Sequence, residues 1–186
     1  MIVHLKFDPK ESSYQFLYEI ALFDTNPKNL AEIYDVVSTC ELRSSDCSYM
    51  DCDSYDLDCS AYGVKEALAM NSNTNCETML KLAQDEIELL RAIIAVRTNY
   101  DAVIEQLLHD DHIYVIKNLL ENRNLKSKHL RKIVDRLVGN DFDFDVSFNK
   151  ETHITKKSFA KLIKSSKVAS KAQIERVKNW ENSINK

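Results

Sequence analysis

The stretch IIAVRTNYDAVIEQLLHD (93–110) decides the fold, because ALAMNSNTNCETMLKLAQD (67–85) and NLLENRNLKSKHLRKIVD (118–135) can be laid over it. Leu68, Ile94 and Leu119 are 26 and 25 residues apart, and Ala69, Ala95 and Leu120 keep that spacing. So do Asn73, Asn99 and Asn124, and Leu82, Leu108 and Ile133, while Asp85, Asp110 and Asp135 recur at 25 and 25. Such register over three copies signals a helical repeat of about 25 residues. Each copy reads as an apolar helix, a turn at the Asn, and a second amphipathic helix such as the one carrying Leu125, Leu130, Ile133 and Val134. Asn tolerates the backbone that ends a helix, and its side chain can bond nearby amides to start the next. The Asp marks the following turn as a cap. Two short helices cannot bury their apolar faces alone, so neighbouring copies have to stack.

The register extends outward. ALFDTNPKNLAEIYDVV (21–37) puts Asn26 in the turn and Leu30, Ile33 and Val37 on the next helix. HITKKSFAKLIKS (153–165) puts Phe159 and Leu162 in the places of Leu130 and Ile133, and a last helix over 171–184 closes the stack with Ile174, Val177 and Trp180. The expectation is one all-α domain over 1–186, with a Cys- and Asp-rich insertion at about 38–60 and a longer loop at about 138–150.

Composition agrees. Two Gly and two Pro in 186 residues leave no Gly-rich phosphate loop, no dinucleotide fingerprint and too few turn residues for a many-stranded sandwich or barrel. No window holds 18 consecutive apolar residues, which argues against a membrane partner, and MIVHLKFDPKESS lacks an apolar signal core, which points to the cytoplasm.

The segments ALFDTNPKNL, AVRTNYDAVIEQLLHD and LLENRNLKSKHLRKIVD resemble bacterial helical repeats of the HEAT-like kind, particularly the leucine-rich-repeat variant. The resemblance covers roughly residues 20–165. It implies a right-handed α-solenoid, here of about five short helical pairs, serving as a non-enzymatic binding scaffold, usually for protein and sometimes for nucleic acid. The Pro that follows the Asn in that group is present only at Pro27, and its paired Arg residues are mostly missing, so no ligand surface carries over.

One constellation carries possible chemistry. In CELRSSDCSYMDCDSYDLDC, Cys40, Cys47, Cys52 and Cys59 could hold a tetrahedral zinc or an iron–sulfur cluster. Some leucine-rich-repeat variants carry an iron–sulfur module on the N-terminal side of their repeats. Against this, no pair has the C-x2-4-C spacing of a zinc knuckle, and a crowd of aspartates opposes a thiolate cluster's own charge. An ordinary polar insertion is the favoured reading, with no resident cofactor. The same aspartates do not make an EF-hand, which needs Gly at its sixth loop position. Asp51, Asp53, Tyr55, Asp56 and Asp58 instead form an acidic, aromatic-dotted surface able to meet a basic protein partner. His109-Asp110-Asp111-His112 falls at a turn where Asp110 already has a structural role, and His129 reads as a surface or packing residue.

The net charge of −4 hides a division: 8 basic against 21 acidic residues in 1–116 and 17 against 8 in 117–186, so −13 and +9. Lys128, Arg131 and Lys132 on one helix, with Lys157 and Lys161 on the equivalent helix of the next copy, would join into a ridge able to track phosphates. Nucleic acid is therefore the alternative partner, and no catalytic residue is assigned.

Overall fold

The computed structural model describes residues 12–38, 61–144 and 154–184, and every regular element among them is an α-helix. In chain order these are α1 (Tyr14–Phe23), α2 (Pro27–Ser38), α3 (Ala61–Met70), α4 (Cys76–Leu82), α5 (Glu88–Arg97), α6 (Asp101–Leu107), α7 (Ile113–Glu121), α8 (Ser127–Val138), α9 (Lys156–Ser165) and α10 (Lys171–Ile184). None of them is long and apolar enough to cross a membrane. The chain divides into two compact units, Met1–Leu82 and Ala83–Lys186.

In the first unit α1 packs on α3, and α2 packs on both. The α2 core face is Leu30, Ile33 and Val37, fully or almost fully buried and spaced 3 and 4 residues apart, as a helix stripe requires. Pro27 opens α2, where its missing N–H costs nothing. Ser13 caps α1 and Asn75 caps α4, the latter accepting from Thr78 N–H at 2.8 Å.

In the second unit α5 packs on α7 and α7 on α9, while α10 packs on α8 and α9. The sequence of α7, IYVIKNLLE, is apolar on more than one side because α5, α6 and α9 all pack against it. Ile113, Val115, Ile116 and Leu119 have no exposure at all. By contrast α8 is strongly two-faced. His129, Leu130, Ile133, Val134 and Leu137 are buried, and Lys128, Arg131, Lys132 and Asp135 are exposed. The α10 helix occupies the span expected for it, with Val177 and Trp180 buried and Ile174 half-buried.

The helix ends share one device. Asp24, Asn71, Thr98 and Asn122 each follow the last residue of α1, α3, α5 and α7. The side-chain oxygen of each accepts from the backbone N–H two residues on, at 2.8, 2.8, 3.2 and 2.7 Å. This local bond fixes the turn that leads into the following helix. Asn71 and Asn122 add a second function through their amide groups. Asn71 Nδ2 donates to Ala21 O and Asp24 O, both at 2.8 Å. Asn122 Nδ2 donates to Ala95 O at 2.6 Å and Thr98 O at 2.9 Å. Both side chains are 5% exposed, so they satisfy two carbonyls at the end of an earlier helix inside the protein.

These bonds correct the register expected from sequence. The equivalent positions are Asn71, Thr98 and Asn122, which lie 27 and 24 residues apart rather than 26 and 25. Asn73 and Asn124 stand two residues after the cap, whereas Asn99 stands one after it, because α5 runs further into its turn. Asp85 and Asp110 do sit in turns, accepting from Ile87 N–H and His112 N–H at 3.0 and 2.8 Å. Asp135 does not. It lies inside α8 and pairs with Arg176 at 2.6 Å. On α9 the buried partner of Phe159 is Ile163 rather than Leu162.

The stretch expected as a loop after Val138 is partly core. Phe142 and Phe144 are 7% and 8% exposed and meet the Phe159 ring edge-on, at 5.4 and 5.6 Å between centroids. Asn140 makes the sharp turn into it with a φ of 61°, a conformation Asn tolerates.

Candidate functional site

Cys40, Cys47, Cys52 and Cys59, with Asp51, Asp53, Tyr55, Asp56 and Asp58, lie outside the described residues. The basic positions are all described. Arg131, Lys157 and Lys161 are exposed, whereas Lys128 and Lys132 are held by carboxylates of α6.

Those pairs belong to the densest charge cluster among the described residues. Asp101 and Glu105, one helical turn apart on α6, face α8 and the residue before it. Lys126 Nζ lies 2.8 Å from Asp101 Oδ1 and Lys128 Nζ 2.6 Å from Oδ2. Lys128 also reaches Glu105 Oε1 at 3.1 Å, and Lys132 takes Oε2 at 2.6 Å. All four carboxylate oxygens are thus engaged. Hydrogen bonds from Lys126 and Lys128 hold the Asp101 carboxyl well below the usual carboxylate range. Those from Lys132 and Lys128 lower Glu105, and Asp101 in turn raises Lys128. The lysine side chains are about half exposed, so each pair alone adds little stability. Together the pairs neutralise much of the α8 part of the expected phosphate-tracking ridge.

Beneath them sits His129, whose side chain has no exposure. Its Nδ1 accepts from the backbone N–H of Lys126 at 3.1 Å. Lys126 occupies the N-cap of α8 but offers no acceptor of its own, so His129, three residues on, supplies the bond that satisfies this amide. The other nitrogen, Nε2, stands 3.2 Å from Asp101 Oδ1 and 3.4 Å from Glu105 Oε1, without a well-aligned hydrogen bond to either. Burial pushes the imidazole pKa down, and the two carboxylates oppose that. Sequence reasoning missed this residue. The available signal was its place at the third position of a helix whose N-cap is a lysine.

His129, Asp101 and Glu105 bring three potential ligand atoms within 4.8 Å of one another, so a metal must be considered. The donor set does not suit one. An imidazole that accepts a backbone N–H at Nδ1 carries its proton on Nε2, the atom a cation would need. Three ammonium groups also compete for the same carboxylates.

The second charged group is structural. Arg91 of α5 grips Asp110 with two hydrogen bonds, Nε to Oδ2 at 2.6 Å and Nη2 to Oδ1 at 3.2 Å. Its Nη1 donates to Asp85 O and Glu86 O. Asp110 is 6% exposed, and its hydrogen bond raises the Arg91 pKa. Arg136 of α8 donates to Leu108 O at 2.6 Å and Asp110 O at 2.9 Å, while its guanidinium lies 4.5 Å from the Phe142 ring centroid. Two arginines therefore clamp the α6–α7 turn, and His109-Asp110-Asp111-His112 is not gathered into a ligand cluster: Asp110 is spent on Arg91, and His109 and Asp111 are exposed. Near the end of the chain an open depression of about 340 Å³ is lined by Val138, Asn140, Arg176, Asn179, Trp180 and Ser183. Trp180 Nε1–H donates to Asn140 Oδ1 at 3.3 Å, and Arg176 is engaged by Asp135.

Compared with protein families, with curated proteins and with solved structures, the chain has no match.

Proposed function

We propose that the chain is a helical-repeat scaffold, an α-solenoid of short helical pairs, that binds another protein in the cytoplasm without catalysing a reaction. The observation that carries this reading is the recurrence of one joint. Asn71 and Asn122 use the same amide to hold the last carbonyls of an earlier helix and the same oxygen to turn the chain. A joint reused at intervals is the signature of stacked units, and stacked units build extended faces for partners. The HEAT-like resemblance points the same way. The partner is gripped by the concave face or by the acidic segment carrying Asp51, Asp53, Tyr55, Asp56 and Asp58, with steering by its net negative charge.

The test is capture of a discrete protein by the immobilised full chain, repeated with Asp51, Asp53, Asp56 and Asp58 all changed to Lys. Retention by the wild type that disappears in the variant, with unchanged helix content, supports the reading. Nucleic acid is the second reading, favoured by one observation: Arg131, Lys156, Lys157 and Lys161 are exposed and engage no carboxylate among the described residues. Salt-dependent retention of RNA or DNA, lost on Lys157→Glu with Lys161→Glu, would select it.

A further inference from the structure

The buried imidazole of His129 is used by none of the binding readings above, yet it joins three things. It closes the N-terminus of α8, it faces the carboxylates of α6, and it lies under three lysines. We infer that His129 is a proton-operated latch: as a neutral ring it fastens the first turn of α8, and protonation at Nδ1 releases that turn.

The geometry dictates the direction. Nδ1 can accept from Lys126 N–H only through a lone pair, so the neutral ring carries its proton on Nε2, toward Asp101 and Glu105. A second proton must go to Nδ1, which then confronts the Lys126 amide N–H donor to donor. The amide that His129 had satisfied loses its acceptor at a helix start, where no intrahelical partner exists for it. Protonation strengthens the Nε2 contacts with Asp101 and Glu105, but these lie at the other end of the ring and give the Lys126 amide no acceptor.

The surrounding charge is divided: the carboxylates favour an imidazolium and the lysines oppose it. Facing the ring are Asp101 and Glu105 from α6, and Lys126 and Lys128 from the α8 side, with Lys132 on the far oxygen of Glu105. From α10, Gln173 contributes an uncharged amide that holds Ser127 O at 3.1 Å. Two carboxylates already serve three ammonium groups, and an imidazolium would be a fourth cation. Desolvation of the buried ring is the largest effect and outweighs the carboxylates, placing the transition on the acid side of the ordinary value of 6.5. The released segment carries Lys126 and Lys128, so the transition also alters the charge that this edge presents.

The test is amide hydrogen exchange and imidazole titration by NMR on the full chain, from about pH 7.5 down to about pH 5. In the wild type, protection of the amides of Lys126, His129 and Leu130, corrected for intrinsic exchange, is expected to fall about tenfold, the loss of one net hydrogen bond. The ring should titrate below 6.5 from an Nε2–H tautomer. In His129→Gln, whose carbonyl can accept from the Lys126 amide but cannot ionise, the same amides should keep a flat profile. A ring that titrates at or above 6.5, or is protonated on Nδ1 when neutral, overturns the latch. So does an exchange profile identical in wild type and variant. The wild-type titration alone decides the matter if the variant does not fold.

Discussion

Arg91 and Asp110 meet through two parallel hydrogen bonds, at 2.6 and 3.2 Å, with the carboxylate almost wholly buried. The pair joins the start of α5 to the turn before α7, and each partner has further bonds. Arg91 holds two carbonyls of the turn before its own helix, and Asp110 accepts from His112 N–H. Removing either partner leaves the other charged and desolvated. Arg91→Met or Asp110→Ala should each cost about 3 kcal/mol, and the double variant less than the sum of the two. Urea unfolding of the three variants measures this.

The lysine network between α6 and α8 is expected to appear in pH and salt dependence. Asp101 and Glu105 have folded pKa values below their ordinary ones. The unfolded chain therefore takes up protons first on acidification. Their contribution is fully present above the unfolded values, near 3.8 and 4.5, and is lost as pH falls through the folded ones. Unfolding midpoints followed from about pH 6 to about pH 3 should drop more steeply in wild type than in Asp101→Asn with Glu105→Gln. About 1 M salt should narrow the difference.

The aromatic cluster gives a packing prediction. Phe159 is fully buried and touches both Phe142 and Phe144. Phe159→Ala should cost about 3–5 kcal/mol, and Phe142→Leu much less because volume is largely kept. A loss of comparable size for Phe142→Ala would show that 141–144 folds with α9.

The helical class of this chain was legible because apolar spacing alone specifies which face of each helix is covered. Leu30, Ile33 and Val37 illustrate it, as does the Lys171–Ile184 helix. The joints were harder to read. Thr98 does the turn-forming work of Asn71 and Asn122 through a hydroxyl, so matching Asn to Asn displaced the middle copy by one residue. Asp135 matched by spacing but sits on an exposed helix face, where an Asp answers to a neighbouring Arg rather than to a turn. In GNDFDFD the strict alternation of Phe and Asp already signals an extended, one-sided burial, which the reading as a loop passed over.

The candidate site was less legible still. Lys128 and Lys132 looked available to phosphates because their carboxylate partners stand on a helix some 25 residues earlier, a distance only the folded chain bridges. His129 gave no signal by composition. Its role depends on a neighbour, Lys126, that cannot cap its own helix.

For the cysteine-rich segment the expected result is chemical silence. Full-length protein purified without oxygen should carry no stoichiometric zinc or iron and show no visible absorption band. Stoichiometric metal would instead make Cys40, Cys47, Cys52 and Cys59 ligands and displace the scaffold reading.

The scaffold proposal rests on the joint made by Asn71 and Asn122, and four single alanine variants test it most directly. Asn71→Ala and Asn122→Ala each strip two carbonyls of their buried donor, and should lower stability by about 2–3 kcal/mol. Asn73→Ala and Asn124→Ala remove only part-buried side-chain bonds, at 3.1 and 3.2 Å, and should cost about 1 kcal/mol or less. Urea unfolding, with hydrogen exchange to locate the loss in each unit, reads the four values. Matched large losses at 71 and 122 beside small ones at 73 and 124 are the expected result. Equal losses at all four, or a large loss at only one of the two joints, would contradict a unit reused along the chain.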